Sequence, residues 1–181
     1  PLADFLESHR PGWAQNEQGD ISEWSRDATR SAAIELARRL NAAAVINPVN
    51  LIALTLLSTP RHTADEQMLE RLLTHYQALA RNAPYAPAMI PCLLDPGQIV
   101  AYAERLGFAA RIPHPLGDLI RIPDGQAPLL AYFRNNVLHV FALPALIACL
   151  LSHNRNLAAQ RVTETVDGIY GLMGTELLLR W

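Results

Sequence analysis

The stretch VNLIALTLLS, residues 49–58, is apolar on nearly every side of a helix. A helix with no polar face has nothing to turn toward water, so other elements must enclose it all round. Its limits are written in the sequence. Asn47-Pro48 reads as a helix start, because proline in the first turn lacks only an N–H that would have had no partner there. Pro60 closes the run. The rest of the chain has to supply the walls around this central rod.

The remaining elements follow from periodicity and breakers. A short helix is expected at Leu2–His9. A turn-rich lead-in follows, marked by Pro11-Gly12, Asn16 and Gly19-Asp20. From Ser25 to Ala44 apolar residues recur every three to four positions among Arg30, Glu35, Arg38 and Arg39, which predicts a helix. Thr63-Ala64-Asp65-Glu66 has the form of a capping box, Thr at the N-cap and Glu three on, opening an amphipathic helix to Asn82. Ala83 to Pro96 holds four prolines and reads as a loop. A further helix spans Gly97–Leu106 and stops at Gly107. Phe108–Pro113 and Gly117–Pro123 read as two strands around His-Pro-Leu-Gly. After Asp124-Gly125 a long helix is expected from Ala127 to His153. A last one runs from Leu157 to the end, broken near Gly171–Gly174.

The fold class is therefore mainly α: a helical domain with a small β-hairpin. Its centre is winged-helix-like, three helices then the hairpin, and two long C-terminal helices follow it. The chain divides into a loop-rich lead-in (1–24), helices plus hairpin (25–126) and C-terminal helices (127–181). It begins at Pro1 without Met and ends at Trp181 within an apolar run, which reads as a fragment of a longer chain.

A winged-helix order raises DNA binding, and the charges argue against it. The net charge is −2. The third helix offers Gln98 and Arg105 beside Glu104, and the hairpin offers Arg111 and Arg121 singly. That is little to neutralise phosphates, so no nucleic-acid partner is expected. The six histidines show no metal-ligand spacing with one another or with Cys92 and Cys149. No metal is expected. The two cysteines form no disulfide framework and fit a reducing cytoplasm. There is no Gly-x-Ser-x-Gly, and neither cysteine has basic neighbours in sequence to activate it. In HPLGD, His114 and Asp118 read as a loop histidine and a strand-entry aspartate rather than an acid–base pair.

AYFRNNVLHVFALPALIACLL, residues 131–151, is the segment with candidate function. On one continuous helix Tyr132, Asn135, Asn136 and His139 share a stripe, with Arg134 to one side. Buried amides and guanidinium groups need partners. Those partners are either the helix's own domain, another domain or a ligand, and Arg134 suits a phosphate or carboxylate. The uninterrupted apolar part, about fifteen residues, falls short of the roughly twenty a membrane span needs, and no transmembrane helix is expected.

The same segment resembles the bacterial membrane-bound, PlsB-type glycerol-3-phosphate 1-O-acyltransferases in their C-terminal part. The resemblance rests on AYFRNNVLHVFALPALIA, with INPVNLIALTLLS, LTHYQALARNAPYAP, PLGDLIRIPDGQAPLLAYFRNN and MGTELLLRW in matching order, over about Arg39 to Trp181. It implies transfer of a fatty acyl group from acyl-CoA or acyl carrier protein to the 1-hydroxyl of sn-glycerol 3-phosphate, giving lysophosphatidate. The donor is a substrate, and no cofactor is implied. The implied place is the cytoplasmic face of the bacterial inner membrane. The family's catalytic motif is His-x-x-x-x-Asp, with the histidine as general base. Five residues after each histidine here stand Ala14, Gln67, Ala80, Leu119, Pro144 and Ala158, so no catalytic residue carries over. The catalytic domain is then expected upstream of Pro1. Tyr132, Arg134, Asn135, Asn136 and His139 are expected to bind substrate or to contact that domain. The other reading is a helical interaction or scaffold module with no acyl chemistry nearby.

Overall fold

The computed structural model describes residues 2–9, 11, 22–154 and 156–177. The turn residues expected at Gly12, Asn16, Gly19 and Asp20, and the last apolar residues through Trp181, lie outside them. The described residues form eight α-helices and one three-stranded sheet, mainly α as the periodicity predicts.

The rod is α3, Pro48–Leu57, and every residue from Val49 to Leu56 is buried. Two asparagines fix its start. Asn47 Oδ1 accepts the Asn50 N–H at 2.9 Å, and Asn50 Oδ1 accepts the Asn47 N–H at 3.0 Å. Two of the helix's orphan donors are thereby satisfied. Before it lie α1 (Leu2–His9) and α2 (Ser22–Ala42). Around it pack α4 (Glu66–Asn82), α5 (Pro96–Arg105) and α6 (Ala127–Asn135). Leu51, Ile52, Leu56, Leu69, Leu73, Ile99, Ile120 and Leu130 make the fully buried centre. Each such side chain contributes about 1.5–3 kcal/mol by leaving water.

The expected cap at Thr63 is corrected. Asp65 is the N-cap of α4, its carboxylate accepting the Met68 N–H at 2.8 Å. Thr63–Asp65 is instead strand β1. It pairs antiparallel with β3 (Leu119–Arg121), which also pairs with β2 (Ala110–Ile112), so the sheet order is β1-β3-β2. Ala64 faces Ile120 and Arg111 faces Ile120 across the two ladders. The hairpin thus gains a third strand from between two helices, and Ile120 gains cover from both sides. Arg61 and His62 both take a left-handed φ of 53° in the turn that leads from α3 into β1.

The proline-rich loop is fastened to α4. The buried Gln77 amide donates to the carbonyls of Cys92 at 3.1 Å and Leu94 at 2.7 Å.

The C-terminal third departs most from expectation. Residues 127–153 are two helices, α6 and α7 (Leu138–His153), which meet at 84°. Helix α8 spans Ala159–Leu177 and runs through Gly171 and Gly174 without the expected break. Three C-terminal helices therefore stand where two were expected. The second half of α7 and α8 share a small cluster of their own, with Val166 and Tyr170 buried against Leu143, Leu146, Ile147 and Leu150.

Candidate functional site at the α6–α7 corner

The corner is made by a hydrogen bond from far away in sequence. In a continuous helix the Phe133 carbonyl would accept the Val137 N–H. Here it accepts the side-chain N–H of buried Asn50, at 2.7 Å. The Val137 N–H turns to the Arg134 carbonyl at 3.1 Å, and Val137 leaves the helical region at φ −127°, ψ 2°. Its side chain is 1% exposed and holds the bend in the core.

This bend divides the expected stripe, and the single polar face is corrected to two environments. Tyr132 lies outside the corner, 63% exposed, its ring edge-on to Phe133 with centroids 5.9 Å apart. Asn135 and Asn136 are exposed beside it. Arg134 is half-buried, and its Nε and Nη2 donate to Asn135 Oδ1 at 3.3 and 3.1 Å. Among the described residues no carboxylate lies within ion-pair distance of it. The guanidinium is thus oriented by a neutral amide, with no carboxylate among the described residues to compensate its charge.

His139 goes the other way. It is buried, its Nε2–H donates to the Asn41 carbonyl at 3.0 Å, and its ring meets Tyr85 edge-on at 5.0 Å. Burial lowers its pKa, and the Asn41 bond opposes this less strongly. His139 is a structural donor that joins α7 to the end of α2.

The other candidates resolve into structure. The Leu116 N–H donates to His114 Nδ1 at 3.2 Å, which shapes the turn. Asp118 belongs to Arg111, which also binds both oxygens of Glu66, at 2.6 and 2.8 Å, and Glu104 at 3.0 Å. These carboxylates, Glu66 first and then Asp118, hold the Arg111 pKa above its ordinary value. Arg121 pairs with Asp124 at 3.2 Å. Both hairpin arginines are therefore occupied by carboxylates. Among the described residues no three His, Cys, Asp or Glu side chains gather as metal ligands. Among them, too, no single helix is long and apolar enough to cross a membrane; α6 and α7 reach that length only together, and bent.

Asn50 and Gln77 escaped the sequence reading. The Asn-x-x-Asn spacing of residues 47–50 signals the helix start, but nothing local signals the reach of Asn50 to Phe133.

The whole chain, residues 1–181, matches the family described as "Glycerol-3-phosphate acyltransferase C-terminal region". It is 39% identical over 182 residues to the glycerol-3-phosphate acyltransferase of Pseudomonas putida, covering 99% of this chain and 22% of that protein. The proteins of that name from Pseudomonas aeruginosa and Pseudomonas fluorescens are 38% and 36% identical, with the same coverage. The chain spans 22% of the length of these curated relatives. No solved structure matches.

Proposed function

The chain belongs to the family of glycerol-3-phosphate acyltransferase C-terminal regions, and from that premise we propose that it is the non-catalytic C-terminal part of such an enzyme. The whole enzyme would move an acyl group from acyl-CoA or acyl carrier protein to the 1-hydroxyl of sn-glycerol 3-phosphate at the cytoplasmic face of the inner membrane. The chemistry would lie in an upstream domain that carries His-x-x-x-x-Asp. This region would complete or support the active site through the α6–α7 corner.

The observation that carries this reading is Arg134. Its planar fork is held in place by Asn135 and has no carboxylate partner among the described residues. An arginine so placed is suited to a phosphate or to a carboxylate of the adjoining domain. Tyr132, Asn135 and Asn136 stand beside it as further donors.

The test is Arg134→Ala and Arg134→Lys in the complete enzyme. If Arg134 meets the substrate phosphate, KM for glycerol 3-phosphate rises about ten-fold or more in Arg134→Ala, at the strength of one charge-assisted hydrogen bond. Lys should recover part of that loss. Unchanged kinetics with a lowered melting temperature would assign Arg134 to domain packing instead.

A second reading, a helical interaction module without acyl chemistry, is favoured by α2. This helix leaves Leu36 and Leu40 exposed at 59% and 66%, one turn apart. The complete polypeptide would then lack acyltransferase activity, and replacing both leucines by Glu would abolish its capture of a partner protein; acyl transfer by the complete polypeptide would rule this reading out.

A further inference from the structure

Helix α4 borders two hollows that share His75 as a lining residue. One is a cleft of about 840 Å³ bounded by α4, α7 and α8. Leu72, Leu79, Phe141, Leu146 and Met173 are among its walls, and among the described residues no charged side chain lines it and His75 and Tyr76 are its polar side chains. Its size falls in the range of small-molecule sites, and its lining is suited to hydrocarbon. The other hollow, about 550 Å³, is an open depression edged by Glu70, Arg71, Thr74, His75 and Asp95, all but Glu70 exposed.

This depression carries side chains of both signs of charge. Arg71 and His75 stand one turn apart on the same face of α4, and the His75 Nδ1–H donates to the Arg71 carbonyl at 2.6 Å. Glu70 and Asp95 lie toward the start of α5, where a Cβ on Gly97 would meet Glu70 Oε1 at 3.4 Å. Among the described residues none of Glu70, Arg71 and Asp95 has an ion-pair partner.

We propose that the two hollows form one site for a single-chain zwitterionic lipid. The acyl chain lies in the α4–α7–α8 cleft, the phosphate meets Arg71, and the ammonium meets Glu70 and Asp95. A purely anionic head would face the two carboxylates at close quarters. A free fatty acid would leave them without a counter-charge. The site does not depend on the acyl-transfer reading, because its recognition is argued from its own lining.

The experiment uses the complete polypeptide and a palmitoyl lysophosphatidylethanolamine carrying a diazirine on its chain, below its micellar concentration. Photolabelling should map to peptides of α4 and α7. Unlabelled lysophosphatidylethanolamine should compete about ten-fold better than lysophosphatidylglycerol of the same chain, the equivalent of one well-placed charge contact. Ala148→Trp fills the cleft from an exposed position and should reduce labelling about ten-fold without moving the melting temperature. Glu70→Lys should reverse the headgroup preference. Equal competition by both lipids would overturn the zwitterion assignment. Labelling that Ala148→Trp leaves unchanged would overturn the cleft. Absence of labelling in the complete polypeptide would overturn the site. Acyl transfer without labelling defeats this site alone; labelling in a chain without acyltransferase activity defeats only the functional reading.

Discussion

Asn50 is an amide set into an apolar wall, and both of its side-chain ends are used: the oxygen for its own helix start, the nitrogen for the Phe133 carbonyl. Asn50→Ala leaves that carbonyl and the Asn47 N–H without their partners. The expected loss is about 2–3 kcal/mol in denaturant unfolding, from the desolvation cost of unpaired groups. His139 makes a different prediction. Its folded pKa lies below the ordinary value, so as pH falls through about 6.5 the unfolded chain takes up a proton that the folded chain refuses. Stability should therefore be unaffected by this residue above about pH 7 and decline as the solution is acidified below about 6.5. His139→Gln retains a donor for Asn41 and does not titrate, so its unfolding midpoint should fall less between about pH 7.5 and pH 5.5 than the parent's. The sequence shows that a polar group inside an apolar run needs a partner, and for His139 this holds. It does not show which partner, because Asn41 is 98 residues away and an unremarkable backbone carbonyl.

At the scale of elements, Arg111 is a clamp on strand β2. It joins the first turn of α4, the last turn of α5 and the residue before β3. The side chain is 33% exposed, so water screens these pairs, and each is worth less than a buried one. Arg111→Ala is expected to cost about 1–2 kcal/mol, and Arg111→Lys to recover under half of it because the two-pronged contact with Glu66 is lost. Thermal unfolding at low and high salt checks both, the difference shrinking with salt. Most helices were legible because their apolar period and their breakers agree, as in α3, α4 and α5. Two features were not. Strand β1 is three residues long, too short for an alternation to register, and exists because β3 offers it an edge. The α6–α7 bend contains no proline or glycine at residues 133–139, so local sequence favours a continuous helix, and a tertiary hydrogen bond overrides it.

At the scale of the molecule, the described residues form one large core around α3 and a small one between α7 and α8. The small cluster has two buried members, so it should open first. Amides in the middle of α8 are expected to exchange with deuterium faster than those of α3 under native conditions, by a factor reflecting the smaller cluster's lower opening energy. Equal protection of both would mean that the two cores unfold together. The candidate site was half legible for a related reason: Tyr132, Arg134, Asn135 and Asn136 stay together on the corner, while His139 is separated by a bend that only the assembled core creates. That bend also sets a schedule for synthesis. The Asn50 side chain and the Phe133 carbonyl are 83 residues apart. At roughly 5–20 residues per second, a ribosome delivers the second about 4–17 s after the first. For that interval the central helix exists as a sticky rod whose inward amide has no mate. The nascent chain would therefore be most exposed to chaperone capture between the emergence of Asn50 and the arrival of Phe133.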